Sequence, residues 1–257
     1  MKNIIRLVLL TVSIFSASYA MSSSEVSCYP RVVVTTNIIQ RVFFVKYKDE
    51  FGTAFTVDVD NRQYLITAKH VLENISEEDR ISIFYKNKWH TVDVRSLTCG
   101  DDNTDILVLA APIILSPPLD VSLSSDGLIL AQDMYFLGFP YGMTTGGEEI
   151  NRDFPVPFVK KAILSAIKKD GLNTILYLDG YNNPGFSGGP IVYHNYVTGK
   201  LNVAGVISGY RNEKSKISYK GNDTELVAFG NSGIIIGYSI LPAINAIKNH
   251  AIGPIIK

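Results

Sequence analysis

The chain has 257 residues, with 24 Lys plus Arg against 24 Asp plus Glu, 46% hydrophobic residues and 19% charged. That composition excludes a disordered polyelectrolyte, and the balanced charge gives no sign of the basic surface a phosphate backbone needs, so nucleic acid is not an expected partner. The length fits one large domain or two small ones, and the wealth of β-branched and aromatic residues leans towards strands.

The first twenty residues read as a secretory signal peptide. Lys2 and Arg6 give a positive start, Leu7 to Phe15 form a short apolar run, and Ser18-Tyr19-Ala20 places small residues at a cleavage site. A membrane anchor is the rival, but a spanning helix needs roughly 20 apolar residues, and Ser13, Ser16 and Ser18 interrupt this run. Cleavage leaves 237 residues with a charge of 22 minus 24, or −2. The expectation is an exported protein, periplasmic or extracellular, with no membrane association after cleavage. Residues 21–33 form an N-terminal arm. Export makes a disulfide between Cys28 and Cys99, the chain's two cysteines, the favoured pairing over two free thiols.

After the arm come short strand patterns: Arg41–Tyr47, Gly52–Val59, Gln63–Thr67, Arg80–Tyr85, Lys88–Val94 and Ile106–Ala110. Polar turns such as Lys48-Asp49-Glu50, Asp60-Asn61 and Asp101-Asp102-Asn103 separate them. A Pro-rich connector, Pro112–Gly127, leads to a second set: Asp133–Leu137, Val159–Lys168, Thr174–Leu178, Pro190–Tyr193, Leu201–Ser208 and Gly233–Ile240. Two groups of six predict an all-β chain of two barrels or sandwiches. The groups span residues 34–116 and 128–240, with a linker at 117–127 and a helix and tail at 241–257. In the helix, Leu241, Ile244 and Ile247 recur at helical spacing and are expected to pack on the second group. Met143–Pro157 reads as a surface loop.

Chemistry concentrates in three segments. Tyr64 to Leu72 runs a strand into a turn that presents His70. Asp105 stands directly before the apolar run Ile106–Leu109, and Ser187 lies in the Gly-rich segment Asn183 to Val192. A serine hydroxyl needs a base within reach before it attacks, His titrates near neutrality, and a carboxylate fixes the tautomer of that His. Glycines around Ser187 let the backbone approach a carbonyl, and the amides of Gly185 and Ser187 are placed to meet an oxyanion. The order His70, Asp105, Ser187, with spacings of 35 and 82 residues, is one known solution for acyl transfer. Asp101 and Asp102 compete for the acid role, but only Asp105 enters the strand. His90, His194 and His250 lack such context and are expected at the surface.

These motifs resemble those of the trypsin-like serine proteases, and more closely the bacterial DegP/HtrA-like branch than digestive trypsin. Thr67-Ala68-Lys69-His70, Asp105-Ile106-Leu107-Val108-Leu109 and Ser187-Gly188-Gly189-Pro190 are similar to the histidine, aspartate and nucleophile motifs. Gly52-Thr53-Ala54-Phe55, Leu137 to Gly142, Gly205-Val206-Ile207-Ser208 and Gly237-Tyr238-Ser239-Ile240 extend the likeness over about residues 40 to 248. No stretch resembling a PDZ domain is read after that.

The resemblance implies two six-stranded antiparallel β-barrels with the site between them and a C-terminal helix. It implies a serine endopeptidase acting on polypeptides through an acyl-enzyme, with no metal and no cofactor. His70 would be general base, Asp105 the orienting carboxylate, Ser187 the nucleophile, and Gly185 with Ser187 the oxyanion hole. The primary pocket would have Tyr181 near its base, Ser208, Gly209 and Tyr210 along one wall and Gly233 opposite. No carboxylate falls there, so a neutral side chain, small or apolar, is expected in the pocket. Two departures stand out: Phe186 precedes the nucleophile where digestive members carry Asp, and Met21-Ser22-Ser23 does not resemble their activating N-terminus. A protease-fold protein that binds peptides without cleaving them is the rival reading.

Overall fold

Hydrophobic runs only four to six residues long cannot bury themselves alone, and the first six strands solve this by closing into a ring. In the computed structural model, described for residues 33–146 and 154–256, these strands are β1 (Val42–Tyr47), β2 (Glu50–Val59), β3 (Arg62–Thr67), β4 (Glu78–Tyr85), β5 (Lys88–Thr98) and β6 (Leu107–Ala110). They form a closed barrel in the order β1-β2-β3-β6-β5-β4, with every pairing antiparallel. Asp60-Asn61 and Lys86-Asn87 turn the hairpins with both residues at positive φ, between 47° and 59°. Two-residue turns of that kind match the strand twist.

Alternation along each strand then sorts the side chains. Phe43, Val45, Leu65, Leu107 and Leu109 join the core inside the first barrel. Their neighbours Val42, Phe44, Tyr64, Ile66 and Val108 point outward into a second cluster, which includes Leu137, Val192, Val206 and Ile247 from later in the chain. Buried on both faces over most of their length, β1, β2, β3 and β6 read as unbroken apolar runs, whereas β4 and β5 turn one face to solvent.

The second half holds β7 (Ser122–Leu123), β8 (Asp133–Gly138), β9 (Phe158–Asp170), β10 (Asn173–Asp179), β11 (Pro190–Asn195), β12 (Lys200–Tyr219) and β13 (Asn222–Ser239). Their order is β11-β8-β9-β10-β13-β12, and β12 returns to β11, so six antiparallel strands close a second ring. The expected double barrel is therefore the fold. The two-residue β7, inside the segment read as connector, adds a parallel pairing to β12.

Two features differ from the sequence reading. β12 and β13 run well beyond Leu201–Ser208 and Gly233–Ile240, pairing as far as Tyr219 with Asn222 in a projecting hairpin. Its residues 211–223 are exposed on both faces, so no burial alternation marks it as strand. Among the described residues the α-helices are α1 (Thr36–Ile39) and α2 (Leu241–Asn249). α2 was expected to lie on the second strand group, but it contacts β2, β5 and β6 of the first barrel. There Ala243, Ala246 and Ile247 cover the outward cluster while Leu241 is exposed. The tail follows, with the Gln63 amide donating to Pro254 O at 3.1 Å and the Ile256 amide to Asn61 O at 3.0 Å.

Residues 1–32 lie outside the described residues, and so do the expected signal peptide and Cys28. Among the described residues Cys99 is unpaired and buried, and burial pushes its thiol up to about 12. The loop expected over Met143–Pro157 falls partly on 147–153, also outside; its flanks pair through Thr145 and Val156. No helix among the described residues is long and apolar enough to cross a membrane.

Candidate active site

β3 ends at Thr67 and runs into a 3₁₀ turn, Lys69–Leu72, whose Val71 and Leu72 are buried and hold it to the barrel. That anchoring leaves His70 half-exposed at the rim. Asp105 arrives from the loop before β6, which Thr104 and Asp101 shape: the Thr104 amide donates to Asp101 O at 3.0 Å and the Asn103 amide to Asp101 Oδ1 at 3.1 Å. The His70 amide donates to Asp105 Oδ1 at 3.0 Å, and His70 Nδ1 lies 2.7 Å from Asp105 Oδ2. With Nδ1–H donated to the carboxylate, Nε2 is the nitrogen left to accept a proton.

Of the three competing carboxylates, Asp101 instead bonds Thr104 and the Asn173 amide at 2.9 Å, and Asp102 is exposed. The Asp105 hydrogen bond raises His70 above the ordinary imidazole value, against the opposing effect of burial. Burial pushes the Asp105 carboxyl up, but the hydrogen bond and charge of His70, the Ser208 hydroxyl and the His70 amide outweigh it, leaving Asp105 below its usual range. A carboxylate held ionised beside an imidazole is poised to stabilise the imidazolium.

Ser187 belongs to the second barrel. Asn183-Pro184-Gly185-Phe186 is a turn closed by the Phe186 amide to Asn183 O at 3.2 Å, with Pro and Gly at the positions a type II turn prefers and Gly185 at φ 104°. A Cβ on Gly185 would fall 2.2 Å from Phe139 O, and one on Gly188 (φ 84°) only 2.0 Å from Thr53 O. Only glycine fits either place. The Ser187 hydroxyl donates to Ser208 O at 3.1 Å, and no His70–Ser187 hydrogen bond is found among the described residues. The Ser208 hydroxyl meanwhile donates to Asp105 Oδ2. Ser208, expected as pocket wall, thus links the acid of one barrel to the serine of the other.

The carbonyls of this loop can be followed one by one. Tyr181 O accepts from the Lys160 ammonium and Asn182 O from Asn231 Nδ2 at 2.6 Å. Pro184 O accepts from the Tyr141 amide at 2.8 Å, Phe186 O from Gly189 at 2.9 Å, and Ser187 O from Thr53 at 2.9 Å. Gly185 O accepts from Thr53 Oγ1 at 2.7 Å, and Thr53 Oγ1 in turn accepts from the Phe139 amide at 3.2 Å. The acceptors are all engaged on the protein side, while the amides of Gly185 and Ser187 have no partner among the described residues. Since C=O and N–H point oppositely across a trans peptide, anchoring Pro184 O turns the Gly185 N–H the other way.

A profile of the trypsin-like peptidase domain matches residues 52–201. The chain belongs to that family. No curated protein sequence matches it. Among solved structures it is similar to the Rv3671c protease from M. tuberculosis in its active form, with TM-score 0.54 and 15% identity over 86% of this chain and 87% of that one. It is also similar to the HtrA-type protease AlgW with a tripeptide, with TM-score 0.55 and 22% identity over 84% of this chain and 62% of that one. A serine endoprotease from Yersinia pestis gives TM-score 0.51 and 18% identity over 85% and 67%. At these identities the likeness carries the fold: this trypsin-like peptidase has the double barrel of HtrA-type serine proteases.

The trypsin-like site lies apart from a concavity of about 950 Å³, which Ile39, Phe43, Ile83, Tyr85 and Ile114 help to line and which includes none of His70, Asp105 and Ser187. Around the expected specificity pocket, the Gly180 amide donates to Gly233 O at 2.9 Å. Ser208, Gly209, Tyr210 and Gly233 are half-buried, and the Tyr181 side chain is 56% exposed. Phe186 is fully buried, edge-on to Phe136 with ring centres 5.0 Å apart. His90 and His250 are exposed as expected, whereas His194 is half-buried beside Tyr196. Thr53 and Lys160 were not singled out from sequence. Thr53 sat within a noted motif; Lys160 offered no signal beyond one lysine in a strand.

Proposed function

We propose that the chain is an exported serine endopeptidase that hydrolyses peptide bonds through Ser187, His70 and Asp105. The observation that carries this reading is the His70 Nδ1–Asp105 Oδ2 contact of 2.7 Å, which leaves Nε2 as the available base beside the loop presenting Ser187. His70 Nε2 takes the Ser187 proton as Oγ attacks the scissile carbonyl. Asp105 stabilises the imidazolium, and the free amides of Gly185 and Ser187 receive the oxyanion. His70 then returns the proton to the leaving amine, and water, activated in the same way, releases the acyl group. In the resting state the Ser187 hydroxyl donates to Ser208 O and must leave it to reach His70. Export rests on the first twenty residues, and the oxidising compartment it implies is the ground for pairing Cys28 with Cys99. The neutral surroundings of Tyr181, Ser208, Gly209, Tyr210 and Gly233 support a neutral residue on the acyl side of the cut bond.

The hold of Ser208 O on Ser187 favours one second reading, a peptide-binding protein whose serine is not activated. Labelling with a fluorophosphonate separates the two. An endopeptidase reacts at Ser187 and loses labelling in Ser187→Ala; folded wild-type protein that stays unlabelled and cleaves no peptide from a mixed library belongs to the binding class.

A further inference from the structure

Lys160 stands out among the lysines of the second barrel. Its neighbour on β9, Lys161, reaches out to Asp133 with an N–O distance of 2.9 Å, an ordinary surface pair. Lys160 alternates to the other face. The β8–β9 register sets it opposite Phe136, and its ammonium makes no ion pair among the described residues. It donates to Tyr181 O and, at 3.0 Å, to Asn183 Oδ1. It also stands over three aromatic rings, with centroid distances of 5.4 Å to Tyr181, 5.7 Å to Phe186 and 5.9 Å to Phe136.

Every one of these partners except Phe136 lies in residues 181–186, the segment that ends at the nucleophile. That segment has no helix or strand of its own, so its conformation depends on what grips it. Asn183 is gripped twice, since its Nδ2 donates to the Tyr141 hydroxyl at 3.2 Å, while the Tyr141 amide holds Pro184 O. Lys160 and Tyr141 therefore act on the same turn from its two ends. A cation suits this place better than a neutral donor. One ammonium has three N–H groups to serve two acceptors at once, and it alone is drawn to the faces of the rings. Partial burial among neutral groups lowers the Lys160 pKa, in keeping with an ammonium that has been taken out of water for these contacts.

We propose that Lys160 is a positioning residue for the nucleophile loop, an internal ammonium that clamps Tyr181 and Asn183 so that the Pro184–Gly185 peptide keeps its N–H turned into the oxyanion site. Phe186, where digestive members of the family carry a carboxylate, then has its own use: its buried ring is one of the faces the cation rests on. The proposal deepens the protease reading and rests on it.

The test uses the full chain with Lys160→Met, Lys160→Arg and Asn183→Ala, a peptide substrate with a neutral residue before the cut, and hydrogen exchange over 181–188. Loss of one oxyanion donor lowers kcat by about 10²–10³, so Lys160→Met is expected to lose kcat on that scale with KM changed less than about threefold. Lys160→Arg should recover most of it, and exchange over 181–188 should quicken while the first barrel is unchanged. If Lys160→Met does not fold, Asn183→Ala, which leaves the lysine in place, must show the same kcat-specific loss in smaller measure. Unchanged kcat and unchanged exchange in a folded variant overturn the clamp. So does a loss confined to substrates with an acidic residue before the cut, seen in KM, which would make Lys160 a receptor for a substrate carboxylate. If wild type cleaves nothing, the protease reading fails by itself, and the exchange comparison still decides whether Lys160 orders the loop.

Discussion

The two barrels bring different kinds of order to the site. At the His70–Asp105 corner, a partly buried carboxylate holds a half-exposed imidazole at 2.7 Å and the main-chain amide of the same residue at 3.0 Å, both in charge-assisted hydrogen bonds. Across the cleft, the backbone carbonyls of 181–187 each find a donor, the Lys160 ammonium among them, and Gly185 and Gly188 stand where nothing larger fits. The first is order by electrostatics and answers to pH. The second is order by shape and answers to a methyl group. A chemistry that needs a tunable base and a fixed cradle is served by keeping the two apart.

The largest expected effect breaks the comparison outright. Ser187→Ala should lower kcat by about 10⁶, the scale seen when a triad nucleophile is removed, with the thermal midpoint of the protein unmoved; retained turnover would place the nucleophile elsewhere. Asp105→Asn isolates the electrostatic corner and should cost about 10⁴ in kcat. In wild type, kcat/KM should fall as pH drops through the His70 pKa, which lies above the ordinary value of 6.5 because of the Asp105 bond. In Asp105→Asn that acid limb should move to lower pH. A limb that stays in place would mean that some other group titrates.

Gly188→Ala probes the shape-ordered side. A Cβ 2.0 Å from Thr53 O at φ 84° should lower stability by more than about 1 kcal/mol, read from urea unfolding, without moving the pH limb. Thr53→Val keeps the volume but removes the oxygen that serves Gly185 O and the Phe139 amide. Unpaired buried groups cost roughly 1–3 kcal/mol, so kcat should fall tenfold or more, again at an unchanged pH limb. Ser208→Ala touches both regions at once. It removes only one of the bonds onto Asp105 and leaves the Ser208 carbonyl in place, so a loss within about tenfold in kcat/KM is expected; a larger one would make the Ser208 hydroxyl the main support of the acid.

Much of this was legible in the residues. The first-barrel strands lie within a few residues of their expected spans: β1, β3, β6 and most of β2 are buried on both faces and read as apolar runs, while β4 and β5, exposed on one face, are marked by β-branched and aromatic residues between polar turns. The tip of the β12–β13 hairpin escaped for the opposite reason: residues such as Lys216 and Asp223 are solvated on either face, and only pairing along the chain makes them strand. α2 was recognised as a helix but assigned to the wrong neighbour, since its spacing marks an apolar stripe without saying which barrel lacks cover. At the site, motif order singled out His70, Asp105 and Ser187, of which His70 and Asp105 lie 2.7 Å apart. It could not reveal that Ser208 reaches both Asp105 and Ser187, because that depends on how one barrel faces the other. Lys160 was invisible next to Lys161 until the register of β9 turned one inward and the other out.

The attachment of the chain's last residues has a consequence for the order in which the molecule can be made. Arg62, at the start of the strand that leads to His70, bonds Gly253 across 191 residues of sequence, and α2 lies over the outward face of that same barrel. A chain that emerges from its N-terminus can close the first ring early, yet the outward cluster of Tyr64, Ile66 and Val108 is complete only once Leu137, Val192 and Val206 of the second barrel and then Ala243, Ala246 and Ile247 have joined it. Contacts this distant in sequence form slowly. The half that carries His70 and Asp105 precedes in the chain the helix that covers it, so a chain interrupted before α2 presents a sticky, half-dressed barrel.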